Sequence, residues 1–431
     1  MAGEWSDTTL GEMADFLSGG TPSKSRPEYW TGPVPWVSAK DMKRFRLEDT
    51  EDHVSEDAVP NGTRRVPAGT VFLLTRGMTL LNDVPICVAQ RQMTFNQDIK
   101  ALRPRPHIAV EYLPYVLLGN KERLLSQVDL AGHGTGRLNT DELKALDVGL
   151  PPLEEQHAIA HILGTLDDKI ELNRRMNETL EGMARALFQS WFVDFDPVRV
   201  KAEGRDPVLP KNIAELFPDA FADSELGEIP RGWGVGRLGD ILHQRNERCG
   251  ASEETTARPY VPIDCISPKS LFLTESKPGE EAQSSLTRFH KGDLLFGAMR
   301  PYFHKVCIAP FDGTTRTTAF VLFPQNEDDF GFSTLLLHHP DTIDYATRHS
   351  TGSTIPYAVW ANSMENMPVV VPPAVVRRAF NQVVHHILHR IPESYFENKT
   401  LASLRDALLP KLVSSRSTTA SGAFAATDGE V

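Results

Sequence analysis

The sequence predicts an internally duplicated α/β protein: two mixed α+β domains, each followed by a long helix, the two helices pairing as an antiparallel coiled coil with pseudo-two-fold symmetry. Three observations carry this reading. First, landmarks recur in the same order. Trp5-x4-Leu10-Gly11 returns as Trp233-x4-Leu238-Gly239, Pro35-Trp36-Val37 as Pro259-Tyr260-Val261, and Cys87-Val-Ala89 as Cys307-Ile-Ala309. Gly69-Thr-Val-Phe-Leu is echoed by Gly292-Asp-Leu-Leu-Phe, Gly134-Thr135 by Ser353-Thr354, Pro151-Pro152 by Pro372-Pro373, and Asn177-x-Thr179-Leu180 by Asn398-x-Thr400-Leu401. Seven collinear matches favour duplication over chance. Second, the front of each copy is rich in Gly, Pro and short β-prone runs. Third, each copy closes with apolar residues at intervals of three and four, the signature of an amphipathic helix.

Taken in chain order, residues 1–150 form the first domain, with Thr70–Leu74 as its clearest strand. Residues 151–193 form a central helix after the Pro151-Pro152 stop, striped by Ile159, Ile162, Leu166, Ile170, Leu180, Met183, Leu187 and Trp191. About 40 residues make ~60 Å of helix, too long to stand without a partner. Residues 194–229 are a linker, broken by Pro197, Pro207, Pro210 and Pro218. Residues 230–370 form the second domain, with strands at Leu294–Phe296 and Ala319–Phe323. Residues 371–413 supply the partner helix, striped by Phe380, Val383, Ile387, Ile391, Leu401, Leu404, Leu408 and Leu412. Asn177 and Asn398 interrupt the stripes at matching places; each either fixes coiled-coil register or turns to the solvent edge. Pro392 is expected to bend or break the distal helix. The Ser/Thr/Ala/Gly tail, residues 414–431, is expected to be disordered.

Composition narrows the function. The chain has 431 residues, 40% hydrophobic and 24% charged, which is ordinary for a globular protein of two or three domains. The longest apolar stretch is cut by prolines, and the N-terminus has neither a basic n-region nor an apolar h-region, so a cytoplasmic location is expected. Four scattered cysteines suggest neither a disulfide framework nor a zinc site. The net charge of −12 argues against nucleic acid until it is divided. It is −3 over residues 1–150, −8 over 151–229, −3 over 230–370 and +2 over 371–431, so the acidity is concentrated in the middle. No Walker A, H-E-x-x-H, G-x-S-x-G or amino-methyltransferase motif occurs, and no catalytic or metal residue is assigned. Gly132-His-Gly-Thr-Gly136 does not join a strand to a helix as a dinucleotide fingerprint must. His385, His386 and His389 read as helix-surface residues, and Asp167-Asp168 as a solvated acid pair.

Five stretches are more specific. Gly19-Gly-Thr-Pro22 with Glu28-Tyr-Trp30, Leu150-Pro-Pro-Leu-Glu-Glu-Gln156, Ala186-Leu-Phe-Gln-Ser-Trp-Phe-Val-Asp-Phe-Asp-Pro197, Leu226-Gly-Glu-Ile-Pro-Arg-Gly-Trp233 and Leu404-Arg-Asp-Ala-Leu-Leu-Pro-Lys-Leu412 stand in order along nearly the whole chain. Together they resemble type I restriction–modification specificity subunits. The resemblance implies two target-recognition domains, a central and a distal helix, and a non-catalytic chain that reads a bipartite, asymmetric sequence in double-stranded DNA. It further implies two methyltransferase (modification) subunits as partners, S-adenosylmethionine bound in them and not in this chain, and a restriction/translocase subunit joining through the complex. Half-site spacing should then follow helix length: seven residues are ~10 Å, or roughly three base pairs.

No base-reading residue is transferred from the family. Side-chain chemistry supplies the candidates, since Arg and Lys suit guanine or phosphate and loop Ser, Thr and Tyr suit phosphate. These are Lys40, Lys43, Arg44, Arg76, Arg91, His133, Thr135 and Arg137 in the first domain, and Arg300, His304, Lys305, Arg316, Ser353, Thr354 and Tyr357 in the second. For any single one, a solvated charge or surface ion pair is the competing account. Two other classes stay open at this level: a standalone enzyme with its site between the domains, and a coiled-coil adaptor that binds only proteins.

Overall fold

The Trp-x4-Leu-Gly landmark has a structural cause that a computed structural model, describing residues 5–131, 134–250, 252–283, 285–352 and 354–413, makes plain. Each occurrence opens a domain by pairing its first strand with its last. Ser6–Thr9 runs antiparallel to Asp147–Leu150, and Gly234–Arg237 antiparallel to Pro368–Val371. The landmark leucine follows and is fully buried in both cases, its N–H donating to the loop before the closing strand: Leu10 to Leu146 at 3.0 Å, Leu238 to Met367 at 2.9 Å. The next residue must be glycine. A Cβ at Gly11 would stand 2.9 Å from the Lys144 side chain and 3.0 Å from its carbonyl, and one at Gly239 would stand 3.0 and 3.1 Å from the same atoms of Glu365.

The chain forms two compact units, residues 5–171 with 401–413 and residues 172–400 among those described. The first holds a five-stranded sheet ordered Ala14–Ser18, Ile99–Pro104, Val71–Leu74, Ile86–Ala89, Arg46–Leu47. The second holds a four-stranded sheet ordered Leu242–Gln244, Ala319–Pro324, Leu294–Gly297, Val306–Ile308. The four strands of the second repeat the order of the first four in the first. In both, the central strand is buried along its whole length, as a core strand's continuous apolar run requires. Gly69 and Gly292 precede those strands at φ +81° and +91°, a left-handed turn that suits glycine.

The segment expected as a linker is built into the second unit. It carries a helix, Asp196–Ala202, and a hairpin, Phe221–Ser224 with Gly227–Pro230. Phe195 and Phe217 pack their rings on Trp233.

The central helix spans Leu153–Phe188 and widens into a π-helical turn at Gln189–Val193. The distal helix spans Ala374–Val413 and is not broken at Pro392. Leu388, Ile391 and Tyr395, all in the core of the second unit, hold the helix on both sides of the proline. Pairing is antiparallel within each unit. In the first, Arg405 donates to Asp167 at 2.7 Å; in the second, Asn173 donates to Asn398 at 2.9 Å and Asn177 to Ser394 at 2.5 Å. The apolar stripe read from the sequence needs correction. Ile162, Met183, Val383 and Leu404 are 46%, 52%, 36% and 48% exposed. The buried face of the central helix is polar in its middle, running through Asp167, Asn173, Asn177 and Glu181. Asp167 is therefore no solvated acid, since Tyr115 also donates to it at 2.8 Å. Asn177 and Asn398 both take part in register contacts, though not with each other. The tail, residues 414–431, lies outside the described residues.

Candidate nucleic-acid interface

In the first unit the buried strand Val71–Leu74 ends where the N–H groups of Thr75 and Arg76 both donate to the Asp98 carbonyl, at 2.8 and 3.2 Å. This fixes the direction in which Arg76 leaves the sheet. Arg76–Gly77 then joins a three-stranded ribbon with Thr135–Arg137 and Asp129–Ala131. Register places Arg76 opposite Arg137, with Asp129 opposite Arg137 on the other side. Both arginines are exposed, and among the described residues neither makes an ion pair. Like charges directly opposite on a sheet destabilise it, and an anion between them reverses the sign. Gly136 lets the strands approach, since a Cβ there would lie 2.8 Å from the Leu80 side chain. Thr135 is half-buried in the same strand.

The other candidates divide by position. Lys43 and Arg44 are exposed just ahead of Arg46–Leu47, which runs parallel to Ile86–Ala89, so they emerge at the same sheet end as Arg76. Arg91 is exposed at the opposite end. Lys40 is engaged: its ammonium pairs with Glu51 at 3.1 Å and Asp52 at 2.9 Å. Burial opposes that charge, but the two carboxylates outweigh it and raise the Lys40 pKa. His133 lies outside the described residues.

The second unit assembles its candidates around Met299 and Arg300. Met299 bridges to Tyr357, which also pairs with Thr351, and the Arg300 N–H donates to the Pro356 carbonyl at 2.8 Å. The Tyr357 hydroxyl donates to the carbonyl of Thr317, beside the exposed Arg316. Burial raises the Tyr357 pKa, so its hydroxyl stays protonated. Arg300, Arg316, Tyr357 and the exposed Thr354 thus share one surface. The Nε of Arg300 is buried with no hydrogen-bond partner. Ser353 lies outside the described residues.

Two candidates turn inward, which corrects the expectation that they face DNA. His304 is 9% exposed and its Nε2 meets the His338 carbonyl at 2.8 Å; desolvation lowers its pKa and keeps the ring neutral. Lys305 donates to the Ile263 carbonyl at 2.8 Å. Both brace the loop that carries Arg300. Side-chain chemistry singles out polar groups and passes over the apolar side chains that stand beside the arginines. Met78 and Leu130 are 62% and 74% exposed beside Arg76 and Arg137, and Tyr302 and Phe303 are 49% and 46% exposed beside Arg300. The run Arg300-Pro-Tyr-Phe-His-Lys, aromatics among basic residues, was the available signal.

Among the described residues no helix is long and apolar enough to cross a membrane. Residues 2–182 match the family model of the type I restriction modification DNA specificity domain. The type I restriction enzyme MjaIX specificity subunit of Methanocaldococcus jannaschii is 28% identical, over 95% of this chain and 93% of its own length. The HindI specificity subunit of Haemophilus influenzae is 25% identical over 72% of this chain and 78% of its own. In fold, the chain is similar to the S subunit of a type I restriction-modification system from M. genitalium, with a TM-score of 0.53 at 15% identity, covering 95% of this chain and 96% of that one.

Proposed function

We propose that this chain is the DNA sequence-specificity subunit of a type I restriction–modification complex, each unit reading one half of a bipartite, asymmetric target. The observation that carries the reading is the likeness to type I specificity subunits along nearly the full length of both chains. The arginine-bearing surface at the same place in each unit, directly after the buried central strand, supports it.

The chain itself recognises and does not catalyse; S-adenosylmethionine and the reacting residues belong to two methyltransferase subunits, and a restriction/translocase subunit joins through them in the cytoplasm. The exposed apolar positions on the helices support two copies of one partner. Ile162 and Val383 are 221 residues apart, as are Met183 and Leu404, and all four face solvent where a coiled-coil stripe would bury them. Apolar positions exposed at one repeated spacing are what two docked copies of one partner would cover.

Co-expression with a type I modification subunit, followed by long-read mapping of adenine methylation, tests the reading. A bipartite motif with a fixed gap, seen only when both proteins are present, is the expected result. Methylation by this chain alone would reveal an active site in it, and a stable complex that leaves no motif would make the chain a protein adaptor.

A further inference from the structure

Immediately after the central strand and its arginine, each unit makes one short 3-10 turn: Met78–Leu81 in the first, Pro301–Phe303 in the second. These turns hold apolar side chains out of the core. Met78 and Leu81 are 62% and 41% exposed, and Tyr302 and Phe303, their rings 4.8 Å apart, are 49% and 46% exposed.

The second turn is held in a costly shape. Arg300 and His304, the residues that bracket it, both sit at φ +52°, a left-handed region that non-glycine residues enter only when the surroundings enforce it. The surroundings do so. Besides the His304 and Lys305 anchors, the Lys269 N–H donates to the His304 carbonyl at 2.7 Å and the His304 N–H to Pro301 at 2.8 Å. The chain thus accepts backbone strain to display two aromatic rings on a rigid support that begins at Arg300, on a unit that also exposes Arg316. A partner with an anionic backbone and apolar faces between its charges satisfies both features. Double-stranded DNA is such a partner, its phosphates beside stacked bases.

We propose that this turn in each unit is an apolar wedge pressed against the bases of its half-site, with Tyr302 and Phe303 in the second unit and Met78 in the first. The proposal rests on the DNA-reading function above and adds a class of contact to it. The arginines take phosphate and guanine edges; the wedge takes base faces or thymine methyls and favours base steps that unstack easily. Part of the specificity then comes from deformability at that step.

The test uses the assembled complex with its modification partner and the mapped target duplex carrying 2-aminopurine at successive positions. Tyr302→Ala with Phe303→Ala is expected to weaken target binding about tenfold. The 2-aminopurine signal should fall in one half-site, with the salt dependence unchanged because no charge is lost. Met78→Ser should act on the other half-site, and Tyr302→Phe should retain binding. Unchanged affinity, motif and fluorescence in both wedge variants would overturn the proposal while leaving the DNA-reading function intact; a wild-type complex without sequence-specific binding would remove that function itself. If the double variant melts below the wild type, the single Tyr302→Ser change on the rim of the turn decides by the same readouts.

Discussion

His338 is 3% exposed, and desolvation, reinforced by the neighbouring His304, Arg185 and His339, pushes its pKa from 6.5 down to about 3. His304 and His339 are lowered in the same direction, again chiefly by burial. The native state therefore refuses protons that the unfolded chain binds below about pH 6.5. Stability contributed by the neutral ring is fully present above that value and is lost as pH falls toward 3, by up to about 1.4 kcal/mol per pH unit for one such group. Urea unfolding followed at pH 7.5 and pH 5 is expected to show the loss in wild type and a shallower one in His338→Gln. Asp167 makes a second residue-scale case. It is 5% exposed and held by Arg405 and Tyr115. Arg405→Met strands that carboxylate in the interior and should cost about 3–5 kcal/mol, whereas Arg405→Met with Asp167→Leu should recover most of it. Chemical denaturation of the two variants measures the difference.

Among the elements, the closing strand pairs were the most legible part of the sequence, because their constraint falls on a single residue type. Gly11 and Gly239 sit where a side chain has no room, and the landmark that revealed the repeat is that steric requirement. Gly11→Ala and Gly239→Ala are each expected to lower the midpoint of thermal unfolding, by about 1–3 kcal/mol of overpacking, since the atoms in the way include main chain. A Gly→Ala change at Gly182, where a Cβ meets nothing, is the control and should be neutral or stabilising. The helices were legible as helices and misread in their burial. Periodicity ranks residues by apolarity, and it assigned Ile162 and Met183 to a buried seam. The polar residues Asp167, Asn173 and Asn177 could be placed inside only once their partners Arg405, Asn398 and Ser394 were known, and those are more than 200 residues away. Pro392 misled in the same way. A proline removes one hydrogen bond, but Leu388, Ile391 and Tyr395 packed around it set the path of the helix.

At the scale of the whole molecule, two units of like strand order, each with its own arginine-bearing surface, imply that recognition is divisible. How far the site was legible follows the same lines. Arg76 and Arg300 can be singled out as candidates because each follows a recognisable apolar run, and Arg137 because a glycine-threonine landmark precedes it. What pattern could not show is that Arg76 and Arg137 share a register position, or that His304 is buried beneath its own loop. The consequence is testable on the complex. Arg137→Ala should relax the methylation motif in one half-site and reduce the slope of affinity against salt by about one charge, the cost of a lost phosphate or guanine contact being roughly 1–3 kcal/mol. Arg316→Ala should do the same in the other half-site. Because the two residues belong to different units with separate cores, their effects on binding should add, within about 0.5 kcal/mol. Relief of the like-charge pair gives the first variant a further signature. With Arg137 gone, Arg76 no longer faces a second cation, so the free protein should unfold at equal or higher denaturant than the wild type even as target binding falls. A variant that lost both stability and binding would instead mark Arg137 as part of the fold, with its opposite strand neighbour Asp129 as the partner it serves.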